Sequence, residues 1–154
     1  MDAATSEDYI GYAVTLKRGA EHVVRDSLGV GDGMVLPFFL LIGFSVETAL
    51  KAFLLHSGMA PSILRRPPFQ HDLNKLLTTA VERGIELEEQ TKRFVAELGP
   101  HHQQYVFRYP DNATIAFLPR VPAALVWTDD LLRTVHTAIG EPGATKGVCK
   151  ARES

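Results

Sequence analysis

Cysteine is almost missing from this chain of 154 residues, which carries only Cys149. A single cysteine cannot close an internal bridge. The expectation is a reducing compartment, the cytoplasm, with Cys149 a tail residue rather than a nucleophile. An excess of charge of either sign is also missing. Sixteen Lys and Arg stand against 18 Asp and Glu, a net charge of −2. That excludes a globally basic nucleic-acid binder and leaves room for a local basic patch. There is no glycine-rich phosphate loop, no zinc-ligand spacing and no nucleophile elbow, so the standard signatures of those chemistries are excluded. The longest uninterrupted apolar run, Met34–Phe44, is too short to span a bilayer, so no membrane segment is expected. The opening MDAATSED is acidic and polar and does not read as a signal peptide. Internal repeats and low-complexity segments are missing as well.

What is present is ordinary globular material: 45% hydrophobic and 22% charged residues. A chain of this length fits one domain and buries roughly 68–70% of its unfolded surface, without staples. The expected organisation is one helical domain over residues 1–140 and a loose tail over 141–154, where apolar residues become scarce. The centre of the chain is Pro37–Gly58, PFFLLIGFSVETALKAFLLHSG. Pro37 suits a first helical turn and Gly58 a C-cap. Being apolar nearly all round, this helix is expected to be buried on several sides. Its polar residues are Ser45, Glu47, Thr48 and Lys51. Glu47 and Lys51 share a face in the favourable order. Charges in such a place need partners, because an unpaired buried charge is costly.

Around this centre the 3.6-residue period predicts further helices. Thr5–Ser27 reads as one, with Thr5, Ser6 and Asp8 available to cap it. After the glycine-rich loop Gly29–Gly33 and the central helix comes a proline-rich loop, Met59–Gln70. Asp72 or His71 then caps a helix whose stripe is Leu73, Leu76, Leu77, Ala80 and Val81, and Gly84 stops it. A fourth helix runs from about Glu86 to Leu98, where Gly99-Pro100 breaks or kinks it. His101–Pro119 reads either as two further helical turns or as a hairpin. The preferred reading is helix followed by irregular chain over Arg108–Pro119. Pro122 opens the last helix, with Ala124, Trp127, Leu131, Val135 and Ala138/Ile139 facing inward and Gly140 ending it. The expected fold is all-α, an antiparallel bundle of about five helices.

Three places can carry chemistry. The first is Arg65-Arg66-Pro-Pro-Phe-Gln-His71-Asp72. Two guanidiniums before a helix start favour an anion. Arg66 can clamp a phosphate while His71 moves a proton near neutral pH. The alternative is that both arginines are solvated and His71 belongs to the cap. The second is Arg108-Tyr109-Pro110, where Arg108 lies among Tyr105, Phe107 and Tyr109 and is a candidate partner for Glu47. Glu47, Lys51, His71 and Arg108 would then converge at one end of the central helix, with Asp72 and Tyr109 in the same polar cluster. The third is His101-His102, with His56, His71 and Glu97 as companions in a metal site. Adjacent helical histidines point about 100° apart, so no metal and no cofactor is expected.

Together, Phe44-Ser-Val-Glu-Thr-Ala-Leu-Lys-Ala-Phe-Leu-Leu-His-Ser-Gly58, then His71-Asp72-Leu73…Leu76-Leu77…Ala80…Gly84, then Tyr105…Arg108-Tyr109-Pro110, resemble bacterial members of the HEPN superfamily (higher eukaryotes and prokaryotes nucleotide-binding). The resemblance covers about Phe38 to Pro110. It implies an HEPN-like bundle, often a homodimer, tied to RNA metabolism, toxin–antitoxin pairs or defence, with nucleotide or RNA and an antitoxin protein as partners. The superfamily's ribonucleases use an arginine followed after four to six residues by a histidine, a spacing that Arg66 and Arg65 both satisfy with His71. Here Pro67 follows Arg66 where the nucleases usually carry a polar residue, and the pair bridges a loop and a helix start rather than lying on a late helix. Many members lack the nuclease motif and only bind or dimerise. The expected function is therefore a module that binds an anionic ligand, nucleotide or RNA phosphate, near Arg65, Arg66, His71 and Arg108. The alternatives are a metal-independent endoribonuclease using Arg66 and His71, and a purely structural protein-interaction bundle.

Overall fold

The computed structural model describes residues 3–25, 33–104 and 118–140. Among these residues there is no strand, and six helices follow one another: α1 Ser6–Arg25, α2 Val35–His56, α3 Pro61–Leu64, α4 Leu73–Glu82, α5 Glu89–Gln103 and α6 Val121–Gly140. The described residues are all-α, as their periodicity requires.

The start of α1, the end of α2 and both ends of α4 have local causes. Thr5 and Asp8 cap α1 reciprocally: the Thr5 N–H donates to Oδ2 of Asp8 at 2.8 Å, and the Asp8 N–H donates to Oγ1 of Thr5 at 3.1 Å. At the start of α4 the cap is Asp72, whose Oδ1 accepts from the Lys75 N–H at 2.9 Å. Helices α2 and α4 end alike. Gly58 (φ 101°) and Gly84 (φ 99°) take left-handed backbone. The next residue's N–H then reaches back into the last turn, Met59 to the Leu54 carbonyl and Ile85 to the Ala80 carbonyl, each at 3.0 Å. This pattern of paired reverse bonds satisfies carbonyls that the helix end would leave bare.

The core is α2 with the other helices around it. Ser45 Oγ donates to the Ala13 carbonyl at 2.7 Å, and Gly19 faces Leu41, so α1 and α2 run antiparallel in close contact. Thr91 on α5 donates to Asp130 on α6 at 2.7 Å, while Phe94 meets Trp127 at 5.5 Å between ring centroids. These two helices are antiparallel too. Lys17 on α1 pairs with Asp129 on α6 and with Glu21. Phe38, Phe39, Ile42, Val46, Leu50 and Leu54 of α2 are fully enclosed with Leu73, Leu76, Phe94, Leu98 and Leu131. By length and composition α2, at 22 residues, is apolar enough to cross a membrane, but 72% of its most apolar window is buried by this protein's other helices. It is the core helix that its all-round apolar sequence predicts.

Four expectations need correction. The central helix starts at Val35, so Pro37 lies inside its first turn, where a missing N–H costs nothing. The proline-rich loop contains the single turn α3, which Pro61 opens and which buries Leu64. Val81 is exposed, because at about 100° per residue it turns some 80° away from Leu73, to the rim of the stripe. Above all, Gly99-Pro100 does not break α5, which runs on to Gln103, so the preferred helical reading after Pro100 holds that far, while residues 105–117 lie outside the described ones. Pro100 cannot donate to the Ala96 carbonyl, and that carbonyl instead accepts from the Asn74 amide of α4 at 3.4 Å. Gly99 makes room for that amide, since a Cβ there would stand 2.6 Å from Asn74 Nδ2.

Candidate functional site

Continuation of α5 past Pro100 brings His102 to the carboxylate of Glu47. Gly43, Glu47 and Lys51 fall at i, i+4 and i+8 of α2 and share one face. Lys51 Nζ donates to Oε1 of Glu47 at 2.6 Å. Oε2 faces two imidazoles, Nε2 of His102 at 2.6 Å and Nδ1 of His71 at 3.0 Å. One carboxylate thus ties together α2, α5 and the residue before the cap of α4.

The surroundings fix each ring. Phe44 meets the His102 ring edge-on at 5.0 Å and the His71 ring at 6.2 Å. The two imidazoles lie 6.1 Å apart and 75° from coplanar. His102 seats against Gly43, where a Cβ would come within 2.4 Å of Nδ1. His71 holds a left-handed backbone, φ 60°, which histidine adopts more readily than bulkier residues but still at some strain.

Glu47 is 5% exposed, Lys51 9% and His102 3%, whereas the His71 side chain is 23% exposed and forms the solvent-facing edge of the cluster. Burial alone would raise the Glu47 pKa. The hydrogen bond from His102, the charge and hydrogen bond of Lys51 and the hydrogen bond from His71 outweigh it and hold the group at about 2. Glu47 is therefore a carboxylate at any ordinary pH. Two imidazole N–H groups and an ammonium satisfy it from three sides, which is what permits a charge in this core.

The sequence-derived candidates divide. Glu47, Lys51 and His71 meet, and they do so near the middle of α2 rather than at its end, because Glu47 itself lies mid-helix. Asp72 is not in the cluster and serves as the α4 cap. Arg65 and Arg66 are exposed on the segment between α3 and His71, and among the described residues neither guanidinium has a carboxylate partner. Arg108 and Tyr109, the proposed partner of Glu47 and its neighbour, lie outside the described residues, as does Cys149. Of the histidine group considered for a metal, His71 and His102 come together and Glu97 is exposed elsewhere on α5. His102 as a partner of Glu47, and Gly43 as the space for its ring, were not read from the sequence. A glycine at i−4 from a buried glutamate was the available signal. No protein-family model, no curated protein and no solved structure matches this chain.

Proposed function

We propose that the chain is an HEPN-like helical module that forms a homodimer and binds an anionic ligand, a nucleotide or an RNA phosphate, on the face carrying Arg65, Arg66 and His71. The observation that carries this reading is the composition of the segment between α3 and α4. Two exposed arginines without carboxylate partners among the described residues precede, by five and six positions, a partly exposed histidine. A buried carboxylate fixes the ring of that histidine at 3.0 Å. Guanidinium groups recognise phosphate by paired hydrogen bonds, and the imidazole that follows them in the chain is held in one orientation. Arg108 belongs to the same proposal through the family resemblance. The context that the resemblance implies is RNA metabolism, a toxin–antitoxin pair or defence.

One feature favours a second reading, a metal-independent endoribonuclease. Glu47 on Nδ1 of His71 orients the ring and fixes its tautomer as a carboxylate does for a general base. Arg66 would then neutralise charge on the phosphate and His71 would move the proton. Incubation of the purified chain with RNA in EDTA distinguishes the two. Binding without cleavage, weakened in Arg66→Ala, is expected for the module. Cleavage lost in His71→Ala and kept in His101→Ala would establish the nuclease. Absence of both binding and cleavage would leave a protein-interaction bundle.

A further inference from the structure

We infer that Glu47, His71 and His102 form a binding site for a first-row divalent metal ion, with Oε2 of Glu47 and one nitrogen of each imidazole as ligands. The inference goes beyond anion binding at the arginines and does not depend on it. The donor atoms of the three residues lie within 4.8 Å of one another. Two histidines and one carboxylate are a recurrent ligand set for zinc and for non-haem iron, and leave positions open for water or substrate.

The geometry is close to what an ion needs. Donors about 2.0–2.1 Å from a tetrahedral zinc stand roughly 3.3–3.4 Å from each other. The Oε2–nitrogen separations are 2.6 Å and 3.0 Å. An ion replaces the two N–H···Oε2 bonds: each ring draws back by less than about 1 Å, and the proton on each ligating nitrogen moves to the other nitrogen of its ring. The two imidazoles approach Oε2 from separate segments, 75° from coplanar. His71, 23% exposed, is the solvent-side ligand and gives an ion its way in.

Lys51 has a definite part. By holding Oε1 at 2.6 Å it leaves Oε2 as the single oxygen for the metal and sets the carboxylate plane, as outer hydrogen bonds do around metal ligands. It also offsets the carboxylate charge, so the occupied site carries net positive charge and would draw an anion to its open position.

A second observation points the same way. Tying α2 to α5 needs only the buried pair of His102 and Glu47. The structure additionally holds His71 at φ 60° so that its Nδ1 joins them, and it reserves the Gly43 position for the His102 ring. Strained backbone and cleared space of this kind gather at functional sites.

The test uses the full-length, untagged protein with Co²⁺ as a spectroscopic probe and Zn²⁺ as competitor. One Co²⁺ per chain should bind, with a visible ligand-field band that Zn²⁺ abolishes. His71→Ala should weaken binding at least about tenfold, while His22→Ala and His136→Ala, at exposed positions of α1 and α6, should leave it unchanged. Should His71→Ala fail to fold, the imidazole ¹⁵N resonances of the unaltered protein decide, with Zn²⁺ expected to shift those of His71 and His102. No saturable one-to-one binding, undiminished affinity in His71→Ala, or Zn²⁺ shifts confined to other histidines would overturn the site.

Discussion

The His102 ring lies so close to Gly43 that a single methyl on α2 would stand 2.4 Å from its Nδ1. The carboxylate partner of His102, Glu47, is one turn further along the same helix, and the ring therefore cannot retreat without giving up its 2.6 Å hydrogen bond. Gly43→Ala is expected to destabilise the protein by about 1–3 kcal/mol through overpacking, less up to about 1 kcal/mol gained from better helix propensity. Urea denaturation measures the net effect. In a His102→Ala background the clash disappears, so the same glycine substitution should become neutral or stabilising. An equal loss in both backgrounds would show that the close contact does not matter.

Asn74 should matter in proportion to Pro100. Its amide answers the Ala96 carbonyl at 3.4 Å, a long bond at the surface, so Asn74→Ala is expected to cost about 0.5–1.5 kcal/mol. Pro100→Ala gives that carbonyl a backbone donor, and in that background the loss from Asn74→Ala should fall to near zero. Gly99→Ala is expected to cost no more than Asn74→Ala, since a Cβ there meets the end of that exposed side chain, Nδ2 at 2.6 Å and Cγ at 3.2 Å, and can push it aside while gaining helix propensity. Thermal melts of the single and double variants give the coupling directly.

Acid should weaken the protein through Glu47. Its pKa falls from 4.5 to about 2 on folding. A lowered carboxylate pKa contributes stability that is fully present above about 4.5 and is lost as pH falls toward 2. The size is on the order of 3 kcal/mol. The groups facing the carboxylate are Lys51 on α2, His71 before α4 and His102 on α5. Without metal, the unaltered chain should lose stability more steeply between pH 4.5 and 2 than Glu47→Gln does. Parallel slopes in urea titrations of the two proteins would contradict this account.

Much of this arrangement is legible in the sequence, and what is not has a common cause. The Glu47–Lys51 pair follows from spacing on one helix, the end of α2 from Gly58, and the start of α4 from Asp72, all local signals. The helix past Pro100 is the preferred reading of the sequence, but the meeting of His102 with Glu47 joins α5 to α2, and no window on either helix contains both. The amide of Asn74, which answers the carbonyl that Pro100 cannot serve, likewise comes from another helix. The sequence brings His71 to Glu47 and Lys51 as a proton-moving candidate, but it carries no signal for the left-handed backbone of His71, φ 60°, or for the Nδ1–Oε2 contact. Arg108 was assigned to Glu47 because a buried carboxylate needs a cation. The need was real, and two histidines with Lys51 fill it among the described residues.

The two members of the buried ion pair should respond unequally to removal. Glu47→Ala leaves the Lys51 ammonium in the core without its counterion, and the loss is expected at about 3–5 kcal/mol. Lys51→Met keeps a chain of similar shape and leaves Glu47 with both imidazole bonds, so a smaller loss of about 1–3 kcal/mol is expected. Urea midpoints at neutral pH rank the two. The reverse order would mean that Lys51, rather than the histidines, is what makes Glu47 tolerable in the core.

The exposed arginines should affect binding and leave stability alone. Arg65 and Arg66 are solvated, so replacing Arg66 by Ala is expected to change unfolding free energy by no more than about 0.5 kcal/mol. If Arg66 contacts an RNA phosphate, the substitution should weaken binding across unrelated RNA sequences. It should also reduce the steepness of log K against log salt by about 0.7, the counterion released per phosphate on a single strand. His71→Ala also weakens binding in this reading but leaves both guanidiniums in place, so its salt slope should change less than that of Arg66→Ala. Fluorescence anisotropy with a labelled single-stranded RNA at several salt concentrations measures both quantities. A salt slope unchanged by Arg66→Ala would place the anion elsewhere on the protein.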